Sequence, residues 1–150
     1  LSSITALPTG LAGKVLQVVT ATDSTQRTTT SSSFVTGSNT LSVSITPSSA
    51  SNKIFVIVTT SGGQDTTGRS AKFSIYRGSL SYGSAVFTLD DVGFNATGGA
   101  GRFQATGHYL DSPSTSSSQQ YSIVGINLFG ASIRYGAGAN NPITLMEIGV

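Results

Sequence analysis

The stretch from Leu41 to Thr60 constrains the fold more than any other part of the chain, because it joins two different strand patterns through a turn. Its first half alternates apolar and polar residues as far as Thr46, which is typical of a strand with one face in water. Residues 47–52 (PSSASN) favour a turn, since proline lacks a backbone donor and Ser and Asn side chains bond to nearby backbone. We therefore expect a β-hairpin in this stretch.

The second half of the stretch is apolar at every position from Ile54 to Val58 and is rich in β-branched residues. Such a run favours a strand that is covered on both faces. On an exposed edge it would be an aggregation hazard, so we place it inside a sheet. We expect one face to lie on the core of a sandwich and the other to be covered by a neighbouring subunit.

The remaining chain consists of short strand patterns separated by turns rich in Gly, Ser and Pro, and no segment of a dozen residues shows helical periodicity. Seven to nine strands at spacings of roughly ten residues predict an all-β fold, an antiparallel β-sandwich of jelly-roll type. We expect this domain to assemble as a trimer, because the apolar run needs cover on its second face. Residues 1–13 are expected to form a connector from an upstream region, and residues 14–150 a single domain. Within this domain, residues 20–33 form a Ser/Thr-rich tract that is either an edge strand or a loop.

Two positions late in the chain carry local predictions. The strand at residues 102–110 should place Phe103 and Ala105 on one face and His108 and Leu110 on the other, with a bulge at a glycine, residue 107, that switches the phase. Glu147 interrupts an apolar run, and we expect it to face solvent or to pair with an arginine of a neighbouring strand.

The composition excludes several classes of protein. Charged residues are 9% of the chain, against about 25% in ordinary soluble domains. The Lys and Arg residues are scattered singly, which speaks against nucleic-acid binding, and no apolar run is long enough for insertion into a membrane. Cysteine is absent, which excludes disulfides and thiol chemistry. Such a low content of charged residues is compatible with a trimer. Contacts between subunits remove apolar surface from water, so fewer charges suffice to keep the assembly in solution.

The search for catalytic chemistry yields no convincing site, and we expect no enzymatic activity, no cofactor and no metal. The sole histidine, His108, lies three residues before Asp111, but no G-x-S-x-G motif is present. The adjacent Asp90 and Asp91 would diverge on a strand and lack EF-hand spacing. A calcium ion at that acidic pair, or an ion held by three copies of His108 on a three-fold axis, stays open.

Two glycine-rich loops are the candidate binding region. If every strand reverses the one before, the loops Ser61–Arg69 and Asp90–Gly101 lie at the same end of the sandwich, with Leu128–Ser132 nearby. Loops at one end of a rigid sandwich commonly bind partners. The candidate receptor-binding residues are Gln64, Asp65, Arg69, Asp90, Asp91, Phe94, Asn95 and Arg102.

Short motifs occur in a fixed order along nearly the whole chain. They are residues 13–19 (GKVLQVV), 41–47 (LSVSITP) followed by 51–54 (SNKI), 73–78 (FSIYRG), 110–113 (LDSP) followed by 121–123 (YSI), and 143–148 (ITLMEI). This succession resembles the C-terminal domains of bacteriophage tail fibres and related virion structural proteins of the marine and cyanobacterial phage type. The resemblance implies a β-rich, non-enzymatic virion module, often trimeric, at the distal end of a fibre or on the particle surface.

The leading hypothesis is a tail-fibre tip or receptor-binding domain on the virion surface, a homotrimer that attaches to host-surface glycans through its end loops and contacts other virion proteins. A purely architectural virion protein, such as a capsid decoration or fibre-joining domain, is the alternative. A carbohydrate-binding module of a secreted enzyme is a third hypothesis. A hydrolase that uses His108 is a fourth.

Overall fold

The structure, a computed structural model, describes residues 13–30, 41–64, 69–78, 85–94, 101–127, 132–135 and 141–150. Every regular element in these ranges is a β-strand, which confirms the all-β prediction. The strands are β1 (Val15–Asp23), β2 (Arg27–Thr29), β3 (Leu41–Ile45), β4 (Lys53–Gln64), β5 (Arg69–Arg77), β6 (Ala85–Phe94), β7 (Gly101–Asp111), β8 (Gln119–Asn127), β9 (Ile133–Tyr135) and β10 (Asn141–Ile148).

The strands form two sheets in which every pairing is antiparallel. The first sheet has the order β1–β10–β4, with β7 on the other side of β4, and the second has the order β3–β8–β5–β6. The short strands β9 and β2 pair with each other, and β9 pairs with the far end of β4. β7 pairs with β4 along one side over its whole length, so β10 and β9 share the other side of β4. β9 therefore lies end to end with β10, and β2 lies end to end with β1.

The stretch from Leu41 to Thr60 is not a hairpin, so that prediction is wrong. β3 pairs with β8 in the second sheet, whereas β4 pairs with β10 and β7 in the first. The turn at residues 47–52 therefore carries the chain from one sheet to the other. Two strands that face each other across a core show the same apolar periodicity as two strands that pair, so the sequence pattern does not distinguish the two arrangements.

The apolar run in β4 is fully buried on its inward face and only half-buried on its outward face. Ile54, Val56 and Val58 lie in the core with at most 1% of their surface exposed. Phe55 and Ile57 point away from the core and are half-buried. Burial on both faces occurs in the second sheet instead, at four consecutive residues of β5 and five of β8, residues 73–76 and 121–125.

The two predicted loops are shorter than expected, because the flanking strands continue into them. β4 extends to Gln64 and β5 begins at Arg69, while β6 continues to Phe94. The connections are therefore residues 65–68 and 95–100. Gly62 and Gly63 of the first predicted loop belong to β4.

Two of the strand glycines make room for an aromatic pair in the core. The rings of Phe73 in the second sheet and Phe103 in the first lie 5.6 Å apart with an interplanar angle of 55°. A Cβ atom on Gly125 would lie 2.7 Å from the Phe73 ring, and one on Gly62 would clash with the Phe103 ring and lie 2.6 Å from the carbonyl oxygen of Arg134. Glycine at these positions is thus a packing requirement rather than a sign of a loop.

The predicted bulge at Gly107 is wrong, since β7 pairs with β4 in continuous register and Gly107 lies opposite Val58. The prediction that Phe103 and His108 lie on opposite faces needs no bulge. The two residues are an odd number of positions apart, and such residues point to opposite faces of a regular strand. In the Ser/Thr tract, β1 continues to Asp23, and β2 forms three residues later. Residues 31–40 and most of the expected connector, residues 1–12, lie outside the described residues.

Candidate interaction surfaces

The strand register gathers several strand ends at one end of the sandwich. Gln64 at the end of β4 pairs with Gly101 at the start of β7, and Arg69 at the start of β5 pairs with Phe94 at the end of β6. β8 also ends here, at Asn127, close to the start of β5. We call this the loop end, because the connections at residues 65–68 and 95–100 leave from it, as the sequence predicts.

The candidate receptor-binding residues are distributed around the loop end. The backbone of Gln64, Arg69 and Phe94 lies at strand termini there. Asp90 and Asp91 lie inside β6 rather than in a loop, so that part of the loop prediction is wrong. Asp65 and Asn95 lie outside the described residues. Their role in binding stays a prediction.

Arg102 is the candidate whose side chain the structure describes. It is exposed on the outward face of the first sheet and pairs with Gly63 of β4. On the other side of Gly63 lies Arg134 of β9. Two arginines on neighbouring strands therefore flank a position that has no side chain. Such a row can contact anionic or hydroxyl groups of a ligand.

His108 lies on the same outward face, where its ring packs against Phe55 with centroids 5.9 Å apart and an interplanar angle of 56°. Asp111, three residues on, lies on the inward face of β7 with 5% of its surface exposed. The two side chains are on opposite faces, so Asp111 does not orient His108 as a base. Within the described residues, no group of three or more His, Cys, Asp or Glu side chains could hold a metal ion.

Glu147 is buried, with 1% of its surface exposed, so the expectation that it faces solvent or pairs with an arginine is wrong. Its carboxylate accepts hydrogen bonds from the Asn52 amide at 2.5 Å and from the Ser48 backbone N–H and hydroxyl at 2.7 and 2.8 Å. The Gln17 amide donates to its other oxygen at 2.6 Å. Burial raises the pKa of Glu147, but the hydrogen bonds from Asn52, Gln17 and Ser48 together outweigh it and lower the pKa to about 2.

The sequence does contain a signal for this burial. In β10, alternate residues starting from Asn141 are buried, and Ile143 and Leu145 lie in the core with 0% exposure. Glu147 falls on the same face by the two-residue period of a strand. An acid in phase with core residues needs hydrogen-bond partners, and the polar turn at residues 47–52 provides them.

A second buried polar cluster joins the two sheets. Asp111 of β7 accepts hydrogen bonds from Arg77 of β5 at 2.8 and 3.0 Å and from the hydroxyl of Tyr121 of β8 at 2.6 Å. Tyr121 is fully buried. Burial, followed by the hydrogen bond to Asp111, raises the pKa of Tyr121 far above its usual range. The cluster therefore fixes one sheet on the other at this point.

Both polar clusters lie at the end opposite the loop end. Lys53 at the start of β4 pairs with Ile148 at the end of β10, and Asp111 is the last residue of β7. We call this the anchored end. Buried hydrogen bonds also occur toward the loop end, where Asn141, 4% exposed, accepts from the Ser61 backbone N–H at 2.8 Å. The loop end differs in that the connections at residues 65–68 and 95–100 leave from it.

The outward face of the first sheet carries a row of apolar side chains across all its long strands. Val18 of β1 pairs with Met146 of β10, which pairs with Phe55 of β4, which pairs with Leu110 of β7. Val18 is 55% and Leu110 45% exposed. We call these four residues the apolar row.

In comparisons with known proteins, no family model and no curated protein matches the sequence. The solved structures that it resembles include a structure of the Gt strain of infectious bursal disease virus, with a TM-score of 0.39, and the crystal structure of that virus's VP2 subviral particle, with a TM-score of 0.34. Identity is 17% in both cases, and each match covers 89% of this chain. The chain spans 38% and 37% of the length of the two matched chains.

Proposed function

We propose that the chain is a non-enzymatic surface module of a virion, of tail-fibre type, that contacts host-surface glycans through its loop end. The observation that carries this proposal is that two connections leave the sandwich at the same end, where Gln64 pairs with Gly101 and Arg69 with Phe94. Buried networks around Glu147 and Asp111 hold the anchored end. The connections at residues 65–68 and 95–100 join strand ends that lie at the opposite end. Connections that leave one end of a rigid scaffold suit recognition of a surface ligand.

The strand order supports a jelly-roll fold for this module. A jelly roll has eight strands in two sheets that face each other. Here β1–β10–β4–β7 faces β3–β8–β5–β6, with β2 and β9 as short extensions. The chain crosses between sheets at every step from β2 to β5, from β6 to β7, from β7 to β8 and from β8 to β9. The ordered motifs that resemble phage tail-fibre domains point in the same direction.

The proposed assembly is a homotrimer that contacts other virion proteins. Its support is the low charge of the chain and the apolar residues on the outward face of the first sheet, where Phe55 and Ile57 remain half-buried in a single chain. Apolar surface of this kind is usually hidden between subunits.

Glycan-array binding of the purified chain tests the receptor role. Exchanging residues 95–100 for a serine-glycine segment of equal length is expected to abolish binding, and Arg102→Gln to weaken it. Lys53→Gln is the matched control, because it removes a cation at the anchored end and should leave binding unchanged. Binding that survives both the exchange and Arg102→Gln would remove the loop end from the role.

A second candidate, the purely architectural virion protein, is favoured by the apolar row. In that case the outward face binds neighbouring virion proteins, and the loop end has no ligand of its own. This candidate predicts no glycan binding but tight, stoichiometric association of the chain with particles that lack it.

A further inference from the structure

The exposed apolar side chains gather on the two edge strands of the first sheet. β1 and β7 are these edges, since within the described ranges β1 pairs only with β10 and β7 only with β4. Of the six large apolar side chains that are exposed in those ranges, five belong to the two edge strands: Val15, Leu16, Val18, Tyr109 and Leu110. The apolar surface left open therefore lies at the sides of this sheet.

The two edges match in direction and in position. Each strand reverses its neighbour from β1 through β10 and β4 to β7, so β1 and β7 run in opposite directions. Val18 and Leu110 are the two ends of the apolar row, which crosses the sheet from one edge to the other. If β1 of one copy lies beside β7 of another, the antiparallel alternation continues and Leu110 comes next to Val18.

We propose that β1 of one copy pairs with β7 of the next copy, edge to edge and antiparallel, with Val18 opposite Leu110. The inference rests on the homotrimer of the proposed function and names the contact that forms it. Because the contact joins two different edges, it is heterologous, and such contacts can close into a ring. In a ring of three, every copy uses both edges of its first sheet.

β1 has the features of a strand that accepts another strand. From Gln17 to Asp23 its register with β10 is continuous, and this segment (QVVTATD) contains no lysine and no proline. Edge strands that avoid pairing usually carry such residues or a bulge. The bulge in β1 lies before this segment, and Asp23 at its end is ion-paired with Arg27. The backbone of the segment can therefore form main-chain hydrogen bonds along its free side.

The cations of the first sheet do not oppose this contact. Lys53, Arg102 and Arg134 lie on its outward face, but β1 contributes no cation to the edge. Equivalent arginines of neighbouring copies stay one sheet width apart, roughly 19 Å for four strands spaced about 4.8 Å. This distance exceeds the screening length of about 8 Å at physiological salt, so the repulsion between them is weak.

Other pairings of the same edges bring unlike residues together. Two copies of β1 that overlap fully in an antiparallel pair would set the apolar start of one strand against residues 20–23 (TATD) of the other. Two copies of β7 would set Arg102 of one strand against the apolar end of the other. Pairing β1 with β7 is the antiparallel arrangement that places the apolar ends of both strands side by side.

Sedimentation equilibrium of the full chain over a range of concentrations tests the inference through a pair of charges. Val18→Lys and Leu110→Glu are each expected to weaken self-association about ten-fold, because an unpaired charge then lies in the contact. The double variant places opposite charges at facing positions of every contact and should associate within about three-fold of the wild type. Within one copy these positions are three strand spacings apart, roughly 14 Å, so such a rescue requires a contact between copies.

Ser44→Glu is the matched control, because Ser44 is an exposed strand residue of the second sheet. It should change association by less than about two-fold. Val18 and Leu110 are exposed in the single chain, so their variants should fold, and thermal melts by circular dichroism establish that they do.

A wild-type chain that stays monomeric, or a single variant at either edge that associates as tightly as Ser44→Glu, would overturn the inference. If both single variants dissociate a trimer and the double variant does not restore it, the pairing of β1 with β7 is overturned and the homotrimer stands. Glycan binding is measured separately, so a monomer that binds glycans would overturn the pairing and leave the receptor role standing.

Discussion

The side-chain amide of Asn52 donates a hydrogen bond of 2.5 Å to the carboxylate of Glu147, which lies 95 positions further along the chain. This contact fixes the turn between β3 and β4 on the last strand of the first sheet. Ser48 in the same turn and Gln17 of β1 bind the same carboxylate. One buried acid therefore joins the segment that crosses between the sheets to the first and last strands.

Replacing this acid tests how much the network stabilises the fold. Glu147→Gln puts an amide N–H₂ in place of one acceptor oxygen, so one of the surrounding donors loses its partner inside the protein. We expect a loss of about 2–4 kcal/mol in the free energy of unfolding, measured by urea denaturation. Asp23→Asn is the control, since the Asp23–Arg27 ion pair is only partly buried and should contribute about 1 kcal/mol or less. Equal losses in the two variants would contradict the account.

The same carboxylate predicts how stability depends on pH. Its pKa in the folded chain is about 2, below the ordinary value of 4.5. The unfolded chain therefore binds the proton more readily, and the contribution of Glu147 is complete above pH 4.5 and is lost as the pH falls toward 2. Melting temperatures measured between these pH values should fall less steeply for Glu147→Gln than for the wild type.

Asp23 also has a pKa lowered to about 2, by its hydrogen bond from Arg27 first and that from Thr25 second. Some acid sensitivity will therefore persist in Glu147→Gln. The contribution of Glu147 is the difference between the slopes of melting temperature against pH for the wild type and for Glu147→Gln. Parallel curves would show that protonation of this acid is not coupled to folding.

The Asp111 cluster predicts a graded response to substitution. Asp111→Ala leaves both Arg77 and the Tyr121 hydroxyl without their acceptor and should cost about 3–5 kcal/mol. Tyr121→Phe removes one donor and leaves the ion pair with Arg77 in place, so about 1–2 kcal/mol is expected. Chemical denaturation of the two variants measures the difference. A larger loss from Tyr121→Phe than from Asp111→Ala would contradict the assignment of Asp111 as the centre of the cluster.

The aromatic packing in the core predicts which glycines tolerate a methyl group. Gly62→Ala would force the added carbon against the Phe103 ring and to 2.6 Å from a backbone oxygen of Arg134, at a cost of about 1–3 kcal/mol. Gly149→Ala is the control, because its nearest contact is the flexible Leu16 side chain at 3.4 Å. Its unfolding free energy should stay within about 0.5 kcal/mol of the wild type. Similar stability of the two variants would show that the glycine in β4 is not required by packing.

Much of the fold could be predicted from periodicity alone. The alternation from Leu41 to Ile45 and the apolar run in β4 identify strands and their inward faces. Periodicity fails where the question is which strand lies beside which, because the partners of β3 and β4 are distant in sequence. The hairpin prediction failed for this reason.

The candidate site was less predictable. Glycine-rich sequence at Gly62 and Gly63 indicated a loop, but these glycines lie in a strand next to Phe103 and Arg102. The end at which the connections lie could be predicted, since it depends only on the reversal of direction between strands. The neighbours of Gly62 and Gly63 could not, because they depend on packing between distant segments. The burial of Glu147 could have been predicted from its phase with Ile143 and Leu145.

The mass of the wild-type chain in solution tests the central claim, an assembled surface module, most directly. Light scattering coupled to size-exclusion chromatography is to be run at concentrations from below to well above the micromolar range. A trimer of the 15.3 kDa chain would have three times that mass, and this is the result that we predict at high concentration. A mass of 15.3 kDa at every concentration would contradict it.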